Sequence, residues 1–242
     1  MPAKPKHQQS HDAVNTPPSR DPQLMRRMYA LMTKLGDSRG LEATIVGSLI
    51  GLLPEDTLTI SQARSIAEIL FEQCPELLDL APLSPKSPEL TAAAHIAIAA
   101  GYALDRALHQ RDGLVLAYAG EAASLESARE TLGFAFTHKV PLVVIVRHNL
   151  AKLKPSYAVH DLSYEVLPAG LPGITVDGSD AMAVYRVTQE AMFRARHEGG
   201  PTLIECKTYP KRTIPTRFRP WVQGDAVAYM EQQLRARNFW QD

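Results

Sequence analysis

The chain has 242 residues, 26 Lys plus Arg against 26 Asp plus Glu, and 45% hydrophobic residues. That is the composition of a globular protein with enough chain for one sizeable α/β domain or two small ones. The charge balance gives no basic excess for nucleic acid or a lipid surface, and no apolar run reaches the ~18 residues of a membrane span.

Residues 1–20, "MPAKPKHQQSHDAVNTPPSR", are polar and proline-rich. They cannot bury enough apolar surface to offset their ordering entropy, so a disordered tail is expected. Residues 21–242 read as a single α/β domain, in three parts: helical to about 90, a βαβ core over 91–212, and a C-terminal loop and helix. Cys74 and Cys206 are far apart and lack metal-ligand spacing. With no apolar secretion-signal core at the start, they indicate reduced thiols in a cytoplasmic protein.

From Asp21 the pattern turns helical. "PQLMRRMYALMTKL" (22–35) spaces Leu24, Met28, Leu31, Met32 and Leu35 by three or four residues, and Gly36 follows as a stop. "LEATIVGSLIGLL" (41–53) predicts a second helix. "TISQARSIAEILFEQC" (59–74) predicts a third, capped by Thr59 or Ser61. Four prolines in 75–90 mark a loop, and "TAAAHIAIAAGYALDRAL" (91–108) is a helix of small residues suited to close packing.

The second half alternates strands and helices. Strands are predicted at 114–119, 141–148, 173–177 and 201–209, and helices at 125–139, 158–168 and 180–198. Short apolar strands separated by amphipathic helices give a doubly wound parallel sheet with helices on both faces. In such sheets ligands sit outside the carboxyl ends of the strands. The stretch "GLVLAYAGEAAS" (113–124) runs apolar and stops at Gly120 and a lone acid, Glu121.

The block "GLPGITVDGSDAMAVYRVTQEAMFRARHEGGPTLIECKTY" (170–209) resembles the alpha subunit of the thiamine-diphosphate-dependent dehydrogenase component of 2-oxo acid dehydrogenase complexes. "FAFTHKVPLVVIVRHN" (134–149) and "LEATIVGSLIGLLPEDTL" (41–58) add to it, and the resemblance covers most of residues 24–212 in a shortened, degenerate form. It implies a thiamine-diphosphate-binding fold, with thiamine diphosphate held through Mg²⁺ and a beta subunit supplying the activating glutamate. It places Asn149 at a metal-ligand asparagine; on the residues alone Asn149 is equally a turn or cap asparagine. Two registers compete at the aspartate ligand: ungapped, it falls on Gly120; with one deletion, on Glu121. The second is preferred, since it also pairs Gly101 with a family glycine and His95 with a family glutamine. Without a ligand role, Glu121 is an exposed acid at a helix start.

The resemblance also implies losses. The family's diphosphate-gripping segment falls on Gln62-Ala63-Arg64-Ser65, where Arg64 is kept off register. The loop histidine that steers substrate is Ile214. The expected function is therefore a non-catalytic or strongly weakened homologue acting through subunit association, as a homo-oligomer or with a beta-type dehydrogenase subunit. The alternative is an active shortened alpha subunit performing oxidative decarboxylation of a 2-oxo acid. His95, His138, His148 and His160 show no metal spacing and no supporting carboxylate, and read as satisfied or exposed. Lys207, Lys211, Arg212, Arg217 and Arg219 form a basic run that is a solvated surface or a contact for an acidic ligand.

Overall fold

The computed structural model describes residues 20–36, 40–60, 92–121, 126–152, 167–209, 214–219 and 222–240. Helix α1 (Pro22–Leu35) starts where the Asp21 carboxylate accepts the N–H groups of Gln23 and Leu24, at 2.9 and 3.1 Å. This satisfies donors that a helix start leaves open. Its inward stripe is Met25, Met28, Leu31, Met32 and Leu35, all buried. Helix α2 (Glu42–Leu49) is buried on every side. Strand β1 (Thr57–Ile60) precedes α3 (Ala92–Leu108), β2 (Val115–Glu121), α4 (Arg129–Thr137) and β3 (Leu142–Asn149). Then follow β4 (Gly173–Asp177), α5 (Ala181–Arg196), β5 (Thr202–Thr208) and α6 (Ala226–Ala236). The Asp180 and Asp225 carboxylates cap α5 and α6 as Asp21 caps α1.

The five strands form one all-parallel sheet in the order β1-β2-β3-β5-β4. β1, β2 and β3 are laid down in one direction, and α3 and α4 pack with alternate residues Val115, Ala117, Val144 and Val146 on one face. The chain then passes to the far edge and returns from β4 to β5 through α5, which packs on the opposite face with Leu116, Tyr118, Val143 and Ile145. Right-handed crossovers require this change of face when the direction of travel reverses. Both faces are covered, so strand interiors read as nearly unbroken apolar runs.

The doubly wound α/β expectation holds. The expected third helix is wrong at its start: Thr59 and Ile60 end β1, with Thr59 opposite Ala117. The β-branched "TLTI" is short enough to hide beneath the helical spacing that follows it, and its pairing with β2 decides its form. Residues 61–74 of that helix lie outside the described residues, as do the 1–19 tail and 158–166. Leu167 and Pro168, expected at the end of a helix, are not helical. The second helix stops at Leu49, four residues early.

Helix α1 meets the residues that follow α6. Arg26 Nε donates to the Phe239 carbonyl at 2.7 Å, Tyr29 packs edge-on against Trp240, and Arg235 lies over the Trp240 ring.

Candidate functional site

All five strands point the same way, so their carboxyl ends share one edge of the sheet. At the end of β2 the pairing with β3 slips: Tyr118 stands opposite Ile145, but Glu121 stands opposite Arg147. Two residues, Ala119 and Gly120, therefore face one, Val146. This bulge needs Gly120 at φ +83°, where a side chain is strained. It brings the Glu121 backbone level with Arg147, two residues before Asn149. The slip could have been suspected from the glycine just before the acid. Gly120→Ala is expected to destabilise the fold by about 1–2 kcal/mol, the cost of a Cβ at positive φ, measurable as a lower urea midpoint.

Asn149 ends β3, 9% exposed. Its Oδ1 accepts the N–H of Ala151 at 3.1 Å, capping the turn Leu150–Lys152. The turn role is thus real, and a carbonyl oxygen so engaged keeps a second lone pair for a cation.

Beside it, His148 Nδ1 and Glu205 Oε1 bond at 2.7 Å, both side chains buried, and Thr175 Oγ1 donates to Glu205 Oε2 at 3.4 Å. β3, β5 and β4 are thereby tied together. No carboxylate near His148 in the sequence supports it; the structure supplies one 57 positions away, which only the strand order reveals. His95 is also buried, its pKa lowered by desolvation, and His138 is exposed against Phe134. His160 lies outside the described residues. Lys207 is 1% exposed within β5 and so leaves the proposed surface run; Arg217 and Arg219 are exposed, while 211 and 212 are not described.

The turn after β4 is equally fixed. Asp177 Oδ1 accepts from Ser179 N at 2.8 Å and Ser179 Oγ at 2.6 Å, while Oδ2 accepts from Gln223 N at 2.9 Å. Gly178 N donates to the Lys207 carbonyl at 2.7 Å, and an added Cβ there would lie 2.7 Å from Thr208 Cγ2. Burial raises the Asp177 carboxyl above its usual range, outweighing hydrogen bonds from Ser179 and Gln223 that lower it. The folded state therefore holds this proton more tightly than the unfolded chain, and the contribution of Asp177 becomes more favourable as pH falls from neutral towards about 4. The stability of the wild type relative to Asp177→Asn should be greater at pH 4.5 than at pH 7, by urea unfolding at the two pH values.

Below the strand ends, Tyr118 Oη meets Ser48 Oγ and donates to the Thr44 carbonyl at 3.2 Å. Cys206 lies in the same core, its thiol pushed up to about 12 chiefly by burial. Since the thiolate is the reactive form, Cys206 should resist iodoacetamide in the native protein and react only on unfolding, as peptide mass spectrometry would show.

Beyond β5, Leu150, Phe218 and Val222 form a small buried cluster, with Tyr209 and Ile214 packed against it. Ile214, at the place matched to the family histidine, is thus a packing residue. Arg64 lies outside the described residues. Among the described residues no group of three or more His, Cys, Asp or Glu is arranged to hold a metal.

A cavity of about 590 Å³ opens at the opposite, amino end of the sheet, lined in part by Arg106, Arg111 and Arg196. Arg106 bonds the Asp112 carbonyl and Thr57 Oγ1, Arg111 pairs with Asp105, and Arg196 pairs with Asp56.

The family model described as dehydrogenase E1 component matches residues 86–214, more than half of the chain. The pyruvate dehydrogenase E1 component subunit alpha of Staphylococcus aureus is 30% identical over 173 residues, covering 64% of this chain and 47% of that protein. The 3-methyl-2-oxobutanoate dehydrogenase subunit alpha of Mycobacterium tuberculosis is 35% identical over 154 residues, covering 60% of this chain and 42% of that one. The match spans about half the length of these curated relatives. A solved structure described as a thiamin diphosphate-dependent enzyme from Mycobacterium smegmatis shares the fold, with a TM-score of 0.52 at 22% identity over 69% of this chain and 31% of the other. With the parallel sheet and the matched 86–214 segment in place, the chain belongs to the dehydrogenase E1 component family.

Proposed function

We propose that this chain is an alpha-type subunit whose own catalytic chemistry is lost or strongly weakened, and which acts by associating with a second subunit. That subunit is another copy of the chain or a beta-type dehydrogenase chain. The observation that carries the reading is Ile214, an aliphatic side chain packed beside the Leu150–Phe218–Val222 cluster. It can neither donate a hydrogen bond nor titrate, so acid–base work at that place is gone. Association is supported by the outer face of α3, where Ile98 and Tyr102 are 41% and 42% exposed. Between them, Gly101 has nothing within 4 Å of an added Cβ.

A second reading rests on Glu121 and Asn149. They end neighbouring strands, one bearing a carboxylate and the other an amide oxygen, a donor set that suits Mg²⁺ in type. In this reading the two residues would hold Mg²⁺ and Gly120 would leave room for a diphosphate, while Arg64, matched to the family's diphosphate-gripping segment off register, lies outside the described residues. Thiamine diphosphate, when bound, supplies the electron sink for decarboxylation of a 2-oxo acid. This chain would bind and orient the diphosphate end, and a beta subunit would supply the activating glutamate.

Calorimetric titration with thiamine diphosphate and Mg²⁺, repeated with Glu121→Ala, separates the two. Absence of saturable binding at millimolar cofactor, with or without a candidate beta subunit, is the result expected. Mg²⁺-dependent binding lost in Glu121→Ala would overturn the first reading in favour of the second. A monomer by light scattering, alone and with the candidate partner, would count against association.

A further inference from the structure

Of the arginines that line the cavity at the amino end of the sheet, Arg111 pairs with Asp105 and Arg196 with Asp56. Arg106 differs. Half-buried near the end of α3, it donates from Nη1 to the Asp112 carbonyl at 2.5 Å and from Nη2 to Thr57 Oγ1 at 2.6 Å. Both acceptors are neutral. Of the five N–H groups of a guanidinium, the other three meet no acceptor among the described residues. The chain is shaped around this cation: Gly113 runs at φ +93°, and a Cβ added there would collide with the Glu55 carbonyl and lie 3.1 Å from Arg106 Nη1. Charged side chains withdrawn from water are usually paired. Arg106 is thus fixed in place and short of an anion, beside a space of about 590 Å³, a volume within the range of small-molecule sites.

Negative charge lies close by. Glu55 and Asp112, whose backbones adjoin the guanidinium, line the same cavity, and their carboxylates have no hydrogen bond or ion pair among the described residues. Helices α3, α4 and α5 all end here, at Leu108, Thr137 and Arg196, and the carbonyl end of a helix carries partial negative charge. A phosphate or a dicarboxylate would be repelled by these groups, and a simple amine by Arg106. A ligand with one carboxylate and one ammonium a few bonds apart matches both. We propose that the cavity binds a free α-amino acid, its carboxylate on the Arg106 guanidinium and its ammonium towards Glu55 and Asp112. The site lies at the opposite edge of the sheet from Glu121 and Asn149, so it goes beyond both readings above and stands or falls without them.

The test screens the full chain against the proteinogenic L-amino acids at millimolar concentration by thermal shift, then titrates those that bind by calorimetry. Each is compared with its deamino acid, its decarboxylated amine and inorganic phosphate. Arg106→Gln and the double variant Glu55→Gln/Asp112→Asn are titrated alongside. Both acids are exposed, so the double variant should fold even if loss of Arg106 prevents folding. The result expected is saturable binding of at least one amino acid, weakened about tenfold in its deamino acid, in its amine and in Arg106→Gln, the loss of one charge-assisted contact. The double variant should lose the preference for the amino acid over its deamino acid. No binding of any amino acid, equal binding of the deamino acid or the amine, tighter binding of phosphate, or an affinity unchanged in either variant would overturn the site.

Discussion

Asp56→Ala should lower the stability of the fold by about 3–5 kcal/mol, the range for stripping one partner from a buried ion pair. Asp56 is fully buried and its carboxylate has three partners. Oδ2 accepts the Leu53 N–H at 2.8 Å and bonds the Arg196 guanidinium, and Oδ1 accepts the Leu114 N–H at 3.0 Å. One side chain thus joins the loop after α2, the entry to β2 and the last turn of α5. Alanine leaves the buried Leu114 N–H, the half-buried Leu53 N–H and the Arg196 cation without their acceptor. A loss of this size is a large fraction of a typical domain's stability. Urea unfolding should show a sharply lowered midpoint with little change in slope; a loss under 1 kcal/mol would mean that water replaces the carboxylate. Asp56→Asn keeps an acceptor oxygen and should cost less.

Glu205→Ala should have a comparable effect at the other end of the sheet, again about 3–5 kcal/mol. Glu205 is fully buried in β5 and bonds His148 on β3 and Thr175 on β4. Its removal strands a buried imidazole and a hydroxyl and unties three neighbouring strands where their carboxyl ends meet. Glu205→Gln retains an acceptor for the imidazole N–H, so its loss should be clearly smaller. Thermal unfolding of the two variants side by side checks the order; equal losses would show that charge, rather than the hydrogen bond, holds the pair.

The two predictions mark where sequence reasoning reaches and where it stops. β2 to β5 and the helices α1, α3 and α5 were legible because each carries a periodic pattern long enough to show itself. β1 was not, since four residues give barely two repeats and the pairing partner lies 58 positions away. The site was legible in outline: the strand ends were placed, and Gly120, Glu121 and Asn149 end β2 and β3 as expected. What the sequence hid is all of long range. The bulge depends on the pairing of β2 with β3, the His148–Glu205 bond on β5 inserting between β3 and β4, and the burial of Lys207 on cover from both faces. A charged residue in a β-strand reads as surface until the layers above and below it are known.

The meeting of α1 with residues 239 and 240 has a consequence for synthesis. Arg26 and Phe239 are 213 positions apart, an interval that takes about 10–40 s at 5–20 residues per second. For that time the apolar stripe of α1 lacks its final cover, while β1, β2 and β3 emerge in the order in which they pair. A parallel sheet whose contacts are mostly non-local assembles slowly. The methionine-rich stripe is therefore the surface that a chaperone would meet first on the nascent chain, and ribosome-bound chains halted before α6 should expose α1 to protease while released chains protect it.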